Sequence, residues 1–193
     1  MVDLMRERTL VLSQLESFDE LHPAIEITGE LERRGDRLQL SYKLAGDVAA
    51  VKLPGLTALA QRRNQLWQRS CFEFFLGIQG EPGYWEFNLS PNGDWNVYRL
   101  SGYREGLTPE LAYGALPFTV MVTESFCTLD LDLDLSQIVA ADQALEVGLT
   151  TVIEERAESE TESGRISYWA IAHTGPEADF HRRDSFGIQL PGT

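Results

Sequence analysis

Residues 66–104, LWQRSCFEFFLGIQGEPGYWEFNLSPNGDWNVYRLSGYR, contain three aromatic-rich segments that are separated by Gly and Pro turns. Polar and apolar residues alternate in these segments, which is typical of β-strands with one buried face. The Asn92-Gly93 pair is a strong hairpin signal, because both residues accept the positive φ of a two-residue type I′ turn. The stretch therefore predicts antiparallel strands in a sheet with one decorated face.

A turn centred on Asn92-Gly93 fixes which side chains share a face, since side chains alternate along a strand. One face is then apolar and consists of Trp85, Phe87, Leu89, Tyr98 and Leu100. The opposite face carries Glu86, Asn88, Ser90, Trp95, Val97 and Arg99. In this register Glu86 lies opposite Arg99, a favourable cross-strand pair. In residues 70–78 the same alternation directs Phe72, Phe74 and Leu76 to the core, and Cys71, Glu73 and Phe75 to the other side.

Strand patterns recur along the rest of the chain. Residues 24–45 predict a hairpin around Arg34-Gly35-Asp36, because Gly tolerates the turn. Further strands are predicted over residues 48–53, 117–124, 127–135, 145–154, 165–172 and 186–190. Residues 55–65 form a polar connection with room for a brief helical turn. About ten short strands with very little helix predict an all-β protein, an antiparallel β-sandwich or jelly roll.

Length and charge limit the classes of protein to consider. The 193 residues show no linker, so we expect one domain over residues 1–193. Thirty acidic against sixteen basic residues give a net charge of −14, which argues against nucleic acid or an anionic membrane as partner. The first residues lack the apolar region of a signal peptide, and Cys71 and Cys127 are typical of buried thiols in a reducing compartment. We therefore expect a cytoplasmic protein.

The sequence contains no Gly-x-Ser-x-Gly, phosphate-binding glycine loop, His-Glu-x-x-His or Cys-x-x-Cys motif, so no catalytic residue is predicted and the chain is not expected to be an enzyme. His173 and His181 flank a late turn, where they could ligate a metal or exchange protons, although histidines in surface loops usually do neither. Asp130, Asp132 and Asp134 share one face of one strand. A straight strand spaces such carboxylates roughly 7 Å apart, so a solvated face is expected rather than a metal site.

The decorated face of the 66–104 stretch has the chemistry of a sugar site. Sugars stack their C–H faces on exposed indoles, while carboxylate, amide and hydroxyl groups bind the ring hydroxyls. The candidate ligand-binding residues are Trp67, Glu73, Asn88, Ser90, Trp95 and Arg99. The alternative interpretation is structural: the two tryptophans close the edge of the core, and Glu73 pairs with an arginine.

Two motifs resemble a known family. The pattern W-x5-E-F-F-L from Trp67 to Glu73, followed by S-P-N-G-D-W at residues 90–95, is similar to DOMON-like proteins related to family 9 carbohydrate-binding modules. The closing segments R-I-S-Y-W (165–169) and S-F-G-I-Q-L (185–190) are similar too. This resemblance implies a sandwich of jelly-roll type that binds a ligand and does not catalyse a reaction.

In the sugar-binding relatives, two tryptophans clamp a sugar ring and a glutamate takes its hydroxyls. Trp67 and Glu73 match the first tryptophan and the glutamate. Asn88 and Ser90 stand where those modules tend to carry Arg and Asn. The second tryptophan has no clear match, since Trp169 lies in a predicted strand and the following loop offers only His173, Phe180 and His181.

The resulting prediction is a non-catalytic domain without a cofactor that binds a carbohydrate or a similar polyol. Two alternatives remain open. Haem-binding relatives use a Met and a late His, for which Met121 with His173 or His181 are the candidates, so a haem or redox domain is one alternative. The other is a protein-interaction β-sandwich, in which an apolar patch around Trp67 and Trp95 is buried by a second copy in a homodimer.

Overall fold

The computed structural model describes residues 9–157 and 164–192. The first eight residues, on which the signal-peptide prediction partly depends, lie outside the described residues. Helical structure in the described part of the chain consists of three short 3₁₀ turns, at Val48–Ala50, Leu66–Gln68 and Arg183–Ser185. In these two ranges no helix has the length and apolar character needed to cross a membrane.

The strands are β1 (Thr9–Ser17), β2 (Ile25–Arg34), β3 (Arg37–Gly46), β4 (Cys71–Ile78), β5 (Tyr84–Leu89), β6 (Trp95–Leu100), β7 (Thr108–Pro109), β8 (Phe118–Val122), β9 (Phe126–Asp134), β10 (Leu145–Glu154), β11 (Ile166–Ala170) and β12 (Ile188–Leu190). They form two layers. The first layer has the order β1-β2-β3-β9-β8, and the second has the order β7-β6-β5-β4-β10-β11, with β12 also beside β10. Strand β1 pairs with β11 as well and joins the layers. The predicted antiparallel β-sandwich is confirmed.

The core lies between the inner faces of the layers. Phe72, Phe74 and Leu76 of β4 point into it, as the alternation predicted. The ring of Phe74 stacks on that of Phe87 with 4.2 Å between centroids, and the Tyr42 ring of β3 lies 5.2 Å from that of Phe72. Burying each such side chain stabilises the fold by roughly 1.5–3 kcal/mol. Because the inner positions are filled by apolar side chains, the odd-numbered positions of β4 face outward, where the candidate site lies.

The β5–β6 hairpin corrects the predicted register. Leu89 pairs with Trp95, and the loop hydrogen bonds run from the Ser90 N–H to the Asp94 carbonyl and from the Gly93 N–H to the Ser90 carbonyl. Only Gly93 has a positive φ, at 98°, whereas Asn92 does not. This is a three-residue loop with a bulge rather than a type I′ turn. One extra loop residue reverses the facing of every side chain in β6.

Two smaller predictions were wrong, and one long strand was not predicted. Residues 48–53 form a 3₁₀ turn and a single bridge instead of a strand, because the Asp47 carboxylate accepts the Ala50 N–H and caps the turn. Residues 55–65 contain no helical turn, which comes later at Leu66–Gln68. Strand β1 was missed, because its leucines occupy both faces and conceal the alternation. By contrast, the hairpin over residues 24–45 is confirmed, with Gly35 at φ 60°.

Candidate functional site

A cavity of about 430 Å³ opens on the outer face of the second layer. Strands β4, β5, β10 and β11 supply its floor, and the 3₁₀ turn at Leu66–Gln68 and the segment 178–181 supply its walls. Its volume falls in the range of about 300–1,000 Å³ that is usual for small-molecule sites. The residues that matter most for its chemistry are Trp67, Glu73, Glu86, Tyr168, Phe180 and His181.

A second apolar cluster, distinct from the core, supports this cavity. It consists of Phe75, Tyr84, Tyr98, Leu100 and Phe186, with Trp67 and Phe180 packed against it. The Trp67 ring meets that of Tyr98 edge to face, with 5.8 Å between centroids. Trp67 is half-buried and lines the cavity, so its indole is held in place without being enclosed.

Glu73 projects from β4 into the cavity, since it alternates with the inward Phe72 and Phe74. Only 2% of its surface is exposed, and among the described residues its Oε1 atom has no hydrogen-bond partner. Burial raises the pKa of Glu73 well above its usual value, and the nearby charge of Glu86 raises it further. A buried carboxyl oxygen without a partner is costly, so this atom is available to a ligand.

Glu86 lies on the adjacent strand and is 4% exposed. Its Oε1 accepts a hydrogen bond from the Asn88 amide at 2.7 Å, and its Oε2 lies 3.9 Å from Nε2 of His181. Burial raises the pKa of Glu86, while the Asn88 hydrogen bond and the charge of Arg104 lower it in part. Asn88 thus orients one of two acidic groups that share the cavity.

His181 is uncharged in this environment, because burial lowers its pKa to about 4. Its Nδ1 lies 2.9 Å from the Tyr84 hydroxyl, which also accepts the backbone N–H of Arg104. When this hydroxyl donates to Nδ1, the imidazole carries its proton on Nε2, which faces Glu86. The sequence offered His181 only as a loop residue, and its place above Glu86 depends on long-range packing.

Tyr168 and Phe180 add two aromatic rings to the cavity. The rings meet edge to face with 6.0 Å between centroids, and Tyr168 is 38% exposed. Tyr168 was missed in the sequence analysis. The available signal was the alternation itself: Trp169 is buried in the core, so its neighbour must face outward.

The six predicted site residues separate into three groups. Trp67 and Glu73 line the cavity together, as predicted. Asn88 is buried beside it, whereas the Ser90 hydroxyl accepts the Asn92 N–H within the hairpin loop. The predicted facing of Trp95 and Arg99 was wrong.

Both residues turn away from the cavity because of the shifted register. Trp95 is 4% exposed and belongs to the core, where the Arg62 guanidinium covers its ring at 4.3 Å. Arg99 is exposed on the same side as Trp85, 5.8 Å from that ring. It pairs with Trp85 rather than with Glu86, whose partner is Tyr98. The structural interpretation therefore applies to Trp95, but not to Glu73, for which the described residues show no ion pair with an arginine.

The proposed haem ligands do not meet. Met121 lies on β8 in the first layer, at an outward position that alternates with the partly buried Val120. His181 packs on the outer face of the second layer, and the ring of His173 lies 6.5 Å from that of Phe180 on the same layer. The core separates Met121 from both histidines, and packed sheets stand about 10 Å apart. The pair cannot bind one iron from opposite layers.

The Asp130, Asp132 and Asp134 carboxylates face away from the core, as predicted. Asp130 accepts from the Ser41 hydroxyl and Asp132 from Arg37, while Asp134 accepts the Ser136 N–H. Two of the three are thus engaged by β3, the neighbouring strand. The prediction that calcium is not required at the site stays a prediction.

Comparison with solved structures finds a proposed carbohydrate-binding protein from Bacteroides uniformis, with a TM-score of 0.63 and 13% identity over 93% of this chain and 86% of that one. This similarity shows the fold. A family 9 carbohydrate-binding module from Caldicellulosiruptor kristjanssonii matches in complex with glucose (TM-score 0.48, 11% identity, 89% and 78% coverage) and with cellotriose (0.46, 11%, 84% and 72%). No protein-family model and no curated protein matches the chain.

Proposed function

We propose that this protein binds a carbohydrate or a similar polyol in the cavity between Trp67 and Glu73, without catalysis. The observation that carries the proposal is the unpartnered Oε1 atom of Glu73, which is buried in a cavity with aromatic walls. A ligand hydroxyl that donates to this oxygen removes the cost of leaving it unpaired.

The aromatic residues supply the other half of sugar chemistry. Trp67, Tyr168 and Phe180 offer ring surfaces to the C–H groups of a sugar, and Glu73 and Glu86 offer acceptors to its hydroxyls. The description of the Bacteroides uniformis protein as carbohydrate-binding agrees with the proposal. Cytoplasmic location and the formation of a homodimer stay predictions.

A thermal-shift screen of saccharides and polyols tests the proposal. A ligand at 100 times its dissociation constant stabilises the folded protein by about 2.7 kcal/mol. The hits are then measured by calorimetry with Trp67→Ala, for which we expect binding to weaken by about 1–2 kcal/mol through lost stacking. Arg99→Ala is the matched control, because Arg99 lies outside the cavity and its loss should leave affinity unchanged.

Folding of the variants is checked separately. Trp67 is half-buried, so Trp67→Ala should unfold less readily than Phe74→Ala, a core truncation expected to cost about 3–5 kcal/mol. If no saccharide or polyol shifts the unfolding temperature, or if hits bind Trp67→Ala as tightly as wild type, the proposal is wrong.

A further inference from the structure

We propose that the cavity selects a ligand that carries a protonated amino group beside its hydroxyls, which among carbohydrates means an amino sugar. The inference rests on the proposed function and names its substrate class. Its basis is the placement of two buried carboxyl groups in one cavity, where neither forms an ion pair with a lysine or arginine among the described residues.

The two carboxyls are diagonal neighbours on adjacent strands. Glu73 of β4 pairs with Asn88, and Glu86 of β5 pairs with Phe75, so both side chains leave the same face two residues apart. Diagonal positions of this kind lie roughly 7–8 Å apart at their Cα atoms and less at their side chains. One small ligand can therefore contact both groups.

The groups around the pair compensate its charge only in part. His181 is neutral, and the hydroxyls of Tyr84 and Tyr98 and the thiol of Cys71 carry no charge at neutral pH. The guanidinium of Arg104 lines the same cavity. In the described ranges, neither Glu73 nor Glu86 forms an ion pair with a lysine or arginine.

Arg104 is already paired elsewhere. Its Nη2 donates to Oδ1 of Asp179 at 2.8 Å, and the Tyr103 hydroxyl donates to the other oxygen of that carboxylate. The charge of Arg104 reaches Glu86 and lowers its pKa in part, but Asp179 balances it locally. The cavity as a whole therefore keeps an excess of acidic groups.

An ammonium group fits this cavity better than a hydroxyl does. It carries three donors and no acceptor, so it can serve Glu73 and Glu86 together, and its hydrogen bonds to carboxylates are roughly twice as strong as neutral ones. The indole of Trp67 is also the best aromatic partner for a cation. The net charge of −14 attracts cations and repels anionic sugars.

The experiment is a calorimetric comparison of matched sugars with the full chain. Glucose, galactose and mannose are each compared with the corresponding hexosamine and N-acetylhexosamine. The N-acetyl compound keeps the ring and the nitrogen but removes the charge. We expect at least one hexosamine to bind about tenfold or more tightly than its parent hexose and its N-acetyl form, from one charge-assisted hydrogen bond.

Two variants test the assigned groups. Glu73→Gln and Glu86→Gln keep the shape of the side chain and remove its charge, so each should lose about tenfold in hexosamine affinity while the parent hexose is affected less. Glu81→Gln is the control, because it removes one charge from an exposed residue outside the cavity and should change neither affinity. Unfolding curves show whether each variant is folded before it is titrated.

The pH dependence gives an independent readout in wild type. Burial raises the pKa of both Glu73 and Glu86, so hexosamine affinity should rise as the pH increases above the usual glutamate value of 4.5 and the pair ionises, with protons released on binding. Titrations in two buffers of different ionisation enthalpy measure that release. The parent hexose should show neither effect.

The outcomes separate the inference from the proposed function. If a parent hexose or an N-acetyl form binds as tightly as the hexosamine, the inference is overturned and carbohydrate binding stands. If none of the nine sugars binds but the broad screen finds another saccharide or polyol without an amine, the inference is also overturned and carbohydrate binding stands. If both experiments find no ligand, both proposals fail.

Discussion

Two buried carboxyl sites on the outer face of the second layer differ in whether their charge is paired with cations. The Glu154 side chain is 2% exposed, and its Oε1 accepts from Lys52 at 3.0 Å and from Arg69 at 2.7 Å. Glu73 is buried to the same extent, yet its Oε1 has no hydrogen-bond partner among the described residues.

The difference indicates what each site is for. Burying a charge costs several kcal/mol unless partners compensate it. A buried carboxylate with a structural role therefore forms ion pairs with cations, as Glu154 does. Glu73 and Glu86 instead share a cavity with an uncharged histidine, aromatic rings and Arg104, whose ion pair is with Asp179. Buried acceptors without partners lower the stability of the folded protein, and a ligand that binds to them raises it again.

The largest effect is expected at Glu154. The double variant Lys52→Ala/Arg69→Ala leaves this buried carboxylate without cations, and removing the partner of a buried charge typically costs about 3–5 kcal/mol. Both cations are about half exposed and partly screened by solvent, so we expect a loss of roughly 2 kcal/mol in the free energy of unfolding. Denaturant titration measures it. An unchanged midpoint would mean that Glu154 needs no cation and that the two sites do not differ.

The next effect has the opposite sign. Glu73→Gln should increase the free energy of unfolding at neutral pH, because the pKa of Glu73 is raised well above its usual value in the folded state and the variant removes the buried charge. A carboxyl with a raised pKa binds more protons folded than unfolded, so it destabilises the fold as pH rises above the usual 4.5.

The difference in the free energy of unfolding between Glu73→Gln and wild type should therefore grow as the pH rises from about 4.5 to the raised pKa of Glu73. Below pH 4.5 the difference should vanish. Glu154→Gln is the matched control and should lose stability, because it weakens contacts to Lys52 and Arg69. A Glu73→Gln protein that is less stable than wild type at neutral pH would show that Glu73 has a structural partner.

The smallest effect is expected outside both sites. Arg99→Ala removes an exposed cation from the ring of Trp85, a contact worth about 0.5–1 kcal/mol. Unfolding curves should show a loss within that range. A marked loss of ligand affinity in this variant would mean that Arg99 faces the cavity and would contradict the register of the β5–β6 hairpin.

The fold could be predicted largely from local pattern. Strands β4, β5, β6, β9 and β10 alternate clearly, and their predicted bounds differ from the observed ones by at most one residue. Local pattern did not predict the register of the β5–β6 hairpin, because one additional loop residue changes that register. Asn92-Gly93 favours a type I′ turn, but Pro91 joins the loop and Ser90 pairs with Asp94, and this reversed the facing of Trp95 and Arg99.

The site was predictable only in part, because its residues come from distant segments. Trp67 and Glu73 are close in sequence and were placed together correctly. Tyr168 and His181 reach the cavity from β11 and from the loop that follows it. No local sequence pattern predicts that these segments come close to Trp67 and Glu73. Glu86 was placed on the correct face, but its role depends on the burial that those later segments impose.

The most direct test is an NMR titration of the Glu73 and Glu86 carboxyl carbons in wild-type protein, without a ligand and with the hexosamine that binds most tightly. Because the two groups are coupled, the pair titrates with two apparent pKa values. We predict that at least the higher value lies well above the usual 4.5 in the free protein and falls when the hexosamine is added. Two carboxyls that titrate near 4.5 and do not respond to the sugar would contradict the central claim that this cavity holds unmet acidic groups for a ligand.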